Sequence, residues 1–152
     1  MDSKVSDCFI QVVTTPLDMS ESWRFINVKE HGGNAFFVGS IRETNLGKDV
    51  QKVQYDIYEA FFIKALHEYF TTLTQQLQCS LRLYTVHYKG ELMVTEPSVL
   101  IAVSTPHRKE ALASCEQVIH FIKHKTTVWK KEFYTSNDDS GWVEGHSLCR
   151  NH

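Results

Sequence analysis

The sequence predicts an α+β fold with a largely antiparallel sheet. Stretches with helical spacing of apolar residues and stretches with strand-like alternation are mixed along the chain, without the regular strand–helix–strand order that builds a parallel sheet. The length of 152 residues is sufficient for one hydrophobic core, and no repeat, linker or low-complexity segment divides it. We therefore expect a single domain over residues 1–152, with its core over residues 9–145 and flexible tails.

The first part of the chain predicts two strands around a short helix. Residues 9–14 form a short apolar run that is typical of a strand. Residues 17–29 have helical spacing, with Asp18 or Ser20 available as the N-cap. Residues 35–41 are almost wholly apolar, which indicates a buried strand.

A hairpin and a long helix are expected next. Residues 50–58 alternate as a half-buried strand does, with Val53 and Ile57 among the residues on one face. The polar loop at residues 45–48 separates this strand from the preceding one, so the two runs predict a long hairpin. Residues 59–77 carry apolar residues at steps of three and four, which indicates an amphipathic helix.

Two further strands are expected before the last helix. Residues 81–88 are expected to form a strand, and Gly90 begins the turn that follows it. Residues 98–104 are a short apolar run that is also typical of a strand. Thr105 then suits the N-cap of a helix, and Pro106 suits its first position, where the missing N–H has no cost.

The last helix is expected to end after Lys125, because the β-branched run at residues 126–128 favours extended backbone. A strand at residues 129–134, a turn at residues 137–141 and a short strand at residues 142–143 complete the prediction. The residues expected on the buried face of the helix are Ala111, Cys115, Val118 and Ile122.

Composition and charge exclude several classes of protein. Hydrophobic residues make up 42% of the chain, and no apolar run reaches the ~20 residues of a membrane span. The polar N-terminal segment lacks the order of a signal peptide, so we expect a cytoplasmic protein without membrane contact. The net charge of −2 gives no overall attraction to nucleic acid. The four cysteines form no C-x-x-C pair, so neither a zinc site nor a disulfide is expected.

Positive charge is concentrated between residues 105 and 131, which suits a small anionic ligand. At the start of the predicted last helix, free N–H groups and a partial positive charge would meet His107 and Arg108. The Arg108 guanidinium matches phosphate or carboxylate, and His107 can titrate near neutral pH. Since cations oppose the helix dipole there, a bound anion would offset them. The alternative is that both residues are solvated members of the first turn.

Three more basic residues are candidates for the same site. Lys123 and Lys130 flank the end of the helix, and the reversal into a strand could direct both into one cleft, where a lysine can act as base or nucleophile. The alternative is that Lys123 only complements the helix C-terminus. Arg42 directly follows the buried run, at a site edge or a surface terminus, and Gly39 before it permits close backbone approach.

Other side chains near the basic segment give weaker signals. His120 and His124 are four residues apart and could chelate a metal, but no third ligand is evident. We therefore expect no metal site and no cofactor. Trp129 and Trp142 could stack on a planar heterocycle or belong to the core.

The order and spacing of several short motifs resemble the catalytic (large) subunit family of molybdopterin synthase, over nearly the whole chain. Two positions depart from that pattern, since Thr127 stands where the family usually has Pro and Thr95 stands where a turn Gly is common. The motifs that carry the resemblance are FVGSIR at 37–42, NLG at 45–47, YDIYE at 55–59, GEL at 90–92, VSTPHR at 103–108, Lys123 followed by WKKE at 129–132, and GWV at 141–143.

The resemblance implies a reaction and its partners. Two sulfurs would be delivered to a cyclic pyranopterin monophosphate to form the dithiolene of molybdopterin. The sulfur would come from a small ubiquitin-like carrier subunit whose C-terminal Gly-Gly thiocarboxylate enters a pocket of this chain. The resemblance further implies an α/β-hammerhead fold and a homodimer within a heterotetramer, with one small subunit at each end.

The resemblance also implies roles for individual residues. Lys123 and Lys130 would be catalytic, while Arg42, His107 and Arg108 would hold the substrate and its phosphate. Phosphate and thiocarboxylate are both anions, so one basic cleft can serve both, and lysine amines can polarise the sulfur-bearing group and move protons. The full substrate-binding set implied is Ser40, Ile41, Arg42, His107, Arg108, Lys123, Lys130, Lys131 and Glu132.

Three other functions compete with this hypothesis. The main rival is a non-catalytic binding module for a phosphorylated ligand. The basic and aromatic residues at 121–134 suggest an RNA-binding domain, which predicts an affinity with steep salt dependence. A scaffold that has lost its activity is a third possibility, but retention of all five basic positions speaks against it.

Overall fold

The computed structural model describes residues 7–135 and the backbone of residues 141–144. In these ranges the helices are α1 (Met19–Ile26), α2 (Glu59–Leu77) and α3 (Arg108–Lys125). The strands are β1 (Cys8–Val13), β2 (Gly33–Ser40), β3 (Thr44–Asn45), β4 (Lys48–Ile57), β5 (Arg82–Tyr88), β6 (Gly90–Met93), β7 (Pro97–Thr105), β8 (Val128–Tyr134) and β9 (Gly141–Glu144). The turn predicted at residues 137–141 falls largely outside the described residues.

The first sheet has four strands in the order β1-β5-β7-β2. Only β1 and β5 are parallel, whereas β7 is antiparallel to both of its neighbours. Helices α2 and α3 pack on one face of this sheet, and α1 packs on the other. The sequence prediction of an α+β fold with mostly antiparallel pairing is therefore confirmed.

Burial on both faces explains why the central strand β7 is a continuous apolar run from Val99 to Val103. In β7, Val99, Ile101 and Val103 join the core beneath α2 and α3. Their neighbours Leu100 and Ala102 point the other way and join a smaller core beneath α1. The strand period of two thus divides one apolar run between two cores.

The second sheet shares part of its core with the first. Its strands follow the order β3-β4-β8-β9, and β6 also pairs with β4. Ile57 and Val128 at one end of the sheet belong to the core beneath α3, so the two sheets share apolar contacts. The remaining core of this sheet consists of Ile41, Val50, Val53 and Leu92.

The predicted long hairpin is wrong. Strand β2 pairs with β7, while β4 pairs with β6 and β8. The loop folds instead into the short hairpin of β3 and β4, in which Leu46 and Gly47 both have positive φ, at 52° and 75°. Two consecutive residues of this kind form the tight turn whose twist matches that of paired strands. A compact hairpin at the edge of the second sheet therefore replaces the predicted long one.

Two other expectations for the chain are corrected. Strand β2 is at the edge of its sheet, so Phe36 and Val38 remain exposed, and residues 35–41 are not a fully buried strand. The N-cap of α3 is His107 and not Thr105. Thr105 remains in β7 opposite Gly33, and its hydroxyl donates to the His107 carbonyl (2.6 Å), which delays the start of the helix.

Asp18 is confirmed as the N-cap of α1. Its carboxylate accepts hydrogen bonds from the backbone N–H of Ser20 (2.9 Å) and of Glu21 (3.3 Å). The Ser20 hydroxyl also donates to this carboxylate (2.6 Å), and this bond, together with the backbone bonds, holds the pKa of Asp18 below its ordinary value because it favours the charged form. In the described part of the chain, no helix is both long and apolar enough to cross a bilayer.

Candidate active site

A cavity of about 300 Å³ opens where the end of β2, the last turn of α3 and strands β4 and β8 meet. Its inner wall is apolar, with Phe37, Val99, Ile119, Ile122 and Val128. Arg42, Lys123 and Lys130 also line it, so cationic groups surround an apolar floor. An anionic ligand with a flat or uncharged body fits this distribution of groups.

Each of the three basic residues is placed by a different element. Arg42 follows β2 and is held by its neighbour, since the Ile41 N–H donates to the Glu96 carbonyl (3.1 Å) and the Ile41 carbonyl accepts from Thr95 (2.8 Å). Lys123 lies on the last turn of α3, and Lys130 lies in β8 opposite Tyr55. Lys123 and Lys130, on either side of the helix–strand reversal, thus line the same cavity.

The end of β2 comes close to β7 beside the cavity. A Cβ atom at Gly39 would lie 2.9 Å from a side-chain carbon of Val99, too close for any other residue without a shift of the neighbour. The pairing register also shifts between Gly39 and Ser40, and such an irregularity turns the strand. Glycine here allows the chain to bring Ser40 and Arg42 to the cavity.

A second, smaller cavity of about 40 Å³ adjoins the first and shares Ser40, Arg42 and Lys130 with it. It adds Ile41 and Glu132, both of which were expected at the site from the sequence. Glu132 is only 5% exposed. A carboxylate at this depth requires partners, because burying an isolated charge is costly.

Three donors surround the Glu132 carboxylate. One oxygen lies 3.1 Å from the Lys130 ammonium. The other accepts hydrogen bonds from the Asn45 amide (3.0 Å) and from the Tyr134 hydroxyl (2.6 Å). Burial by itself raises the pKa of Glu132, but the Tyr134 hydrogen bond, the Lys130 charge and the Asn45 hydrogen bond together hold that pKa below its ordinary value. Glu132 is therefore a fixed negative charge that orients Lys130.

A buried histidine forms part of the cavity wall. His87 in β5 is 3% exposed, and its Nδ1 donates to the Tyr88 carbonyl (2.9 Å). Burial lowers the pKa of His87 to about 4, although the hydrogen bond to Tyr88 acts in the opposite direction. The imidazole is therefore neutral at physiological pH.

His107 and Arg108 do not reach this cavity within one chain. They lie at the first residues of α3, and Lys123 lies fifteen residues further along the helix, a distance of about 22 Å. Both side chains are exposed beside the start of β2. A Cβ atom at Gly33 would lie 2.7 Å from the His107 carbonyl, so this close contact fixes the beginning of α3 on β2. The expectation of one compact five-residue site in a single chain is corrected accordingly.

The other candidates that the structure describes also lie outside the cavity, whereas the side chain of Trp142 falls outside the described residues. Lys131 is on the opposite face of β8 from Lys130, because side chains alternate along a strand, and its ammonium lies 5.0 Å from the centroid of the Phe133 ring. His120 and His124 are exposed, with ring centroids 4.2 Å apart. Trp129 is 41% exposed. Among residues whose placement is described, no group of three or more His, Cys, Asp or Glu side chains could hold a metal ion.

Sequence reasoning did not single out Asn45, Tyr134 or His87. Asn45 occurs within the quoted NLG motif, so that signal was present but was assigned only to a loop. Tyr134 shares a strand face with Lys130 and Glu132, which a period of two could have indicated. His87 is one polar residue in an apolar strand, a pattern that is equally typical of a core histidine.

Chemically, this arrangement can bind an anion and place two amines near it. The guanidinium of Arg42 suits a phosphate or carboxylate. An ammonium can stabilise negative charge that develops during a reaction, and its neutral form can accept a proton. Such groups around a partly apolar cavity are typical of group transfer between anionic reactants.

Comparison with protein families gives a match to the family model described as MoaE protein, over residues 12–125. The chain is 36% identical over 141 residues to the molybdopterin synthase catalytic subunit of Synechococcus elongatus, covering 93% of this chain and 85% of that protein. It is 30% identical over 148 residues to the subunit of the same name from Dictyostelium discoideum, covering 97% of this chain and 94% of that protein.

Solved structures have the same fold. The crystal structure of molybdopterin synthase from Staphylococcus aureus matches with a TM-score of 0.80 at 30% identity, covering 87% of this chain and 94% of that one. A chain in the protein–protein complex of subunits 1 and 2 of molybdopterin-converting factor from Helicobacter pylori matches with a TM-score of 0.67. Its identity of 22%, over 91% of each chain, supports the likeness of fold alone.

Proposed function

Because the chain belongs to the MoaE family, we propose that its cavity brings a cyclic pyranopterin monophosphate together with the thiocarboxylate tail of a small carrier protein. The chain is a molybdopterin synthase catalytic subunit, a sulfurtransferase. The observation that carries the proposal is the convergence of Arg42, Lys123 and Lys130 on one cavity. We expect the reaction to take place in the cytoplasm, where thiols stay reduced.

The substrate's phosphate is assigned to the basic rim of the cavity. Arg42 is exposed at the rim and can donate two parallel hydrogen bonds to a phosphate. The apolar wall that includes Ile119 and Val99 suits the flat body of a pterin. The backbone at Ser40 and Ile41 continues this surface into the smaller cavity.

The sulfur chemistry is assigned to the two lysines. An extended Gly-Gly tail lacks side chains and can therefore enter a narrow opening with its terminal thiocarboxylate leading. Lys123 and Lys130 polarise that group and move protons while its sulfur displaces an oxygen substituent of the pterin side chain. Water then cleaves the acyl–sulfur bond, which leaves the sulfur on the pterin and the carrier tail as a carboxylate. Each thiocarboxylate carries one sulfur, so two carrier proteins act in succession to complete one dithiolene.

His107 and Arg108 are assigned to the same substrate through a second copy of the chain. Strand β2 has an open edge within the described residues, and Trp23, Phe36 and Val38 are exposed beside it. Two copies that pair antiparallel along β2 would cover these apolar side chains. In this antiparallel pair, the Gly33 end of β2 in one copy would lie next to the Ser40 end of β2 in the other. The basic pair of His107 and Arg108, which lies beside Gly33 of its own copy, would thereby approach the cavity of the other copy.

This pairing gives the two ends of the dimer equivalent roles. The strand is about 24 Å long from Gly33 to Ser40, which is close to the separation of Arg108 from Lys123. Each cavity would then combine Arg42, Lys123 and Lys130 of one copy with the basic pair of the other. One small carrier subunit bound at each end completes a heterotetramer.

The test of the proposed function is turnover with defined components. The purified chain, a thiocarboxylated carrier with a Gly-Gly tail and the cyclic precursor should produce molybdopterin. Lys123→Ala should reduce the rate by at least about 100-fold, since it removes a group that moves protons in the reaction. Molybdopterin formation is measured after conversion to a fluorescent derivative.

Lys125→Ala is the matched control. Lys125 is an exposed lysine two residues further along the same helix, outside the cavity lining, and its removal should leave the rate within twofold of the wild-type rate. Thermal unfolding should show both variants folded. A Lys123→Ala variant with the wild-type rate would contradict the assignment. Tight binding of the precursor by the wild-type chain without any turnover would instead support a non-catalytic binding module.

A further inference from the structure

His87 places one neutral nitrogen in a cavity whose charged lining residues are all cations. The ring lines the cavity together with Arg42, Lys123 and Lys130. These three residues are hydrogen-bond donors in their charged forms and therefore match the anionic parts of the reactants. The proposed reactants also carry N–H groups, and each of these requires an acceptor when it is buried.

The tautomer of His87 follows from its hydrogen bond. A carbonyl oxygen can only accept, so the bond to Tyr88 (2.9 Å) places the proton of the neutral ring on Nδ1. Nε2 is then an acceptor with an available lone pair. Burial keeps the ring in this form, since it lowers the pKa of His87 to about 4.

Nε2 is open to the cavity and is not sealed in the core. Within the described residues, the bond to Tyr88 is the only hydrogen bond of this ring. An Nε2 sealed in the core would be a buried side-chain atom without a hydrogen-bond partner, and it is not among the atoms of that kind in the described residues. Nε2 is therefore reached from the cavity that the ring lines. Those sealed atoms are Asn34 Oδ1, Thr85 Oγ1, Ser114 Oγ and Thr127 Oγ1.

The orientation of the ring is fixed on two sides. The Tyr55 ring meets it edge-on with centroids 5.0 Å apart, and the Phe62 ring does so at 6.0 Å. Together with the bond to Tyr88, these contacts prevent the imidazole from turning. A pre-oriented acceptor of this kind has little conformational entropy left to lose when a ligand binds.

We propose that His87 is a ligand-binding residue whose Nε2 accepts a hydrogen bond from an N–H group of a bound reactant. The proposal rests on the proposed function, because it concerns the same cavity. Two reactants could supply the donor: the peptide N–H of the carrier's Gly-Gly tail, or a ring N–H of the pterin. The chemistry is the same in both cases, and His87 would select a ligand that presents a donor at this depth.

Two substitutions of His87 separate the two nitrogens. His87→Asn can keep the donor to the Tyr88 carbonyl but has no acceptor at the position of Nε2. His87→Gln can place its amide oxygen near that position. We expect Asn to weaken binding of the affected reactant about tenfold, because its N–H is left without a partner, and Gln to restore binding to within about threefold of wild type.

The two sources of the donor are distinguished by separate measurements. Carrier affinity is measured by calorimetry with a normal Gly-Gly tail and with a tail in which an ester replaces the last amide. If the tail supplies the donor, the ester weakens binding to the wild-type chain but not to the Asn variant. If the pterin supplies it, the Asn variant binds both tails like the wild type, and its KM for the cyclic precursor rises about tenfold.

Unchanged carrier affinity together with unchanged KM in His87→Asn would overturn the proposal. Thermal unfolding checks that each variant is folded; if Asn is not tolerated, His87→Leu removes the acceptor while suiting the apolar surroundings. The wild-type reaction is run alongside every variant. Failure of the wild type to form molybdopterin counts against the proposed function, whereas normal turnover with a neutral His87→Asn counts against this inference alone.

Discussion

At the scale of single residues, the carboxylate of Glu132 controls the electrostatics of the site. It is buried, and Lys130, Asn45 and Tyr134 all donate to it. Lys130 is thereby held in one orientation beside the cavity. Its position depends on Glu132 and, through Glu132, on Asn45 and Tyr134.

Glu132→Gln should lower the free energy of unfolding by about 1 to 2 kcal/mol at pH 7, since charge-assisted hydrogen bonds are lost. The folded-state pKa of Glu132 lies below its ordinary value. Its stabilisation is thus complete above the ordinary glutamate pKa of about 4.3 and is lost as the pH falls through the lower folded value. Urea unfolding from pH 7 down to pH 3 measures the difference.

The exposed ion pair of Lys52 and Glu91, at 3.2 Å, provides the control. Glu91→Gln should change the stability by less than about 0.5 kcal/mol, because solvent screens a pair of this kind. If the loss of unfolding free energy in Glu132→Gln stayed constant across the pH range, lost packing, and not lost charge, would be its cause.

The positions of some site residues are decided by local elements, which sequence patterns can indicate. Lys123 and Lys130 flank a helix–strand reversal, so their convergence follows from a few residues of chain. The relation of Arg108 to these lysines depends on the length of α3, and a helix of eighteen residues separates its two ends however similar their chemistry. The sequence pattern indicates this distance only when the predicted helix is given its rise of about 1.5 Å per residue.

At the scale of elements, α2 was predicted with its observed bounds, because a long run of three- and four-residue spacing is unambiguous. Strand β6 was missed, since four residues are too few to establish a period. The burial of β2 was overestimated because apolar composition does not reveal an edge position. Edge strands that later meet a partner can be as apolar as central ones.

The turn between β6 and β7 contains a residue of the wrong type for its conformation. Thr95 has a φ of +76°, a region that disfavours β-branched residues by about 1 to 2 kcal/mol. Thr95→Gly should therefore raise the free energy of unfolding by about 1 kcal/mol, as measured by chemical denaturation. The hydrogen bond from the Thr95 N–H to the Ile41 carbonyl (2.8 Å) would be retained.

Thr95→Asn serves as the graded comparison, because Asn tolerates the left-handed region better than Thr does. We expect its stability to lie between those of the wild type and the Gly variant. Equal stability of all three would show that the turn relaxes in solution. Activity should be unchanged throughout, since the substitution removes no group that lines the cavity.

At the scale of the whole molecule, the separation of the basic residues predicts complementation between two defective chains. Lys123→Ala and Arg108→Ala should each impair both sites of a homodimer. In a mixed dimer under the proposed pairing, one site lacks both residues and the other retains both. Random exchange of subunits should therefore restore about one quarter of the wild-type rate, as measured by molybdopterin formation before and after mixing.

Mixing Lys123→Ala with Lys130→Ala is the control. Both residues line the same cavity of one chain, so every site in a mixed dimer remains defective and no activity should return. No recovery with the Arg108→Ala partner, despite subunit exchange demonstrated by native mass spectrometry, would place the basic pair outside the site. The sequence of one chain could not predict this arrangement, because contacts between copies leave no local spacing.

The pairing of Tyr55 with Lys130 across β4 and β8 also has a consequence for how the protein folds. Strands β4 and β8 are far apart in the sequence, and so are β2 and β7. Closing these loops is entropically costly and gives the residues around the cavity a high contact order. Helices α2 and α3 can form early from local contacts, whereas the cavity is completed only when β8 docks. A nascent chain whose β8 segment is still inside the ribosome therefore has an incomplete cavity, and free precursor has no finished site to bind.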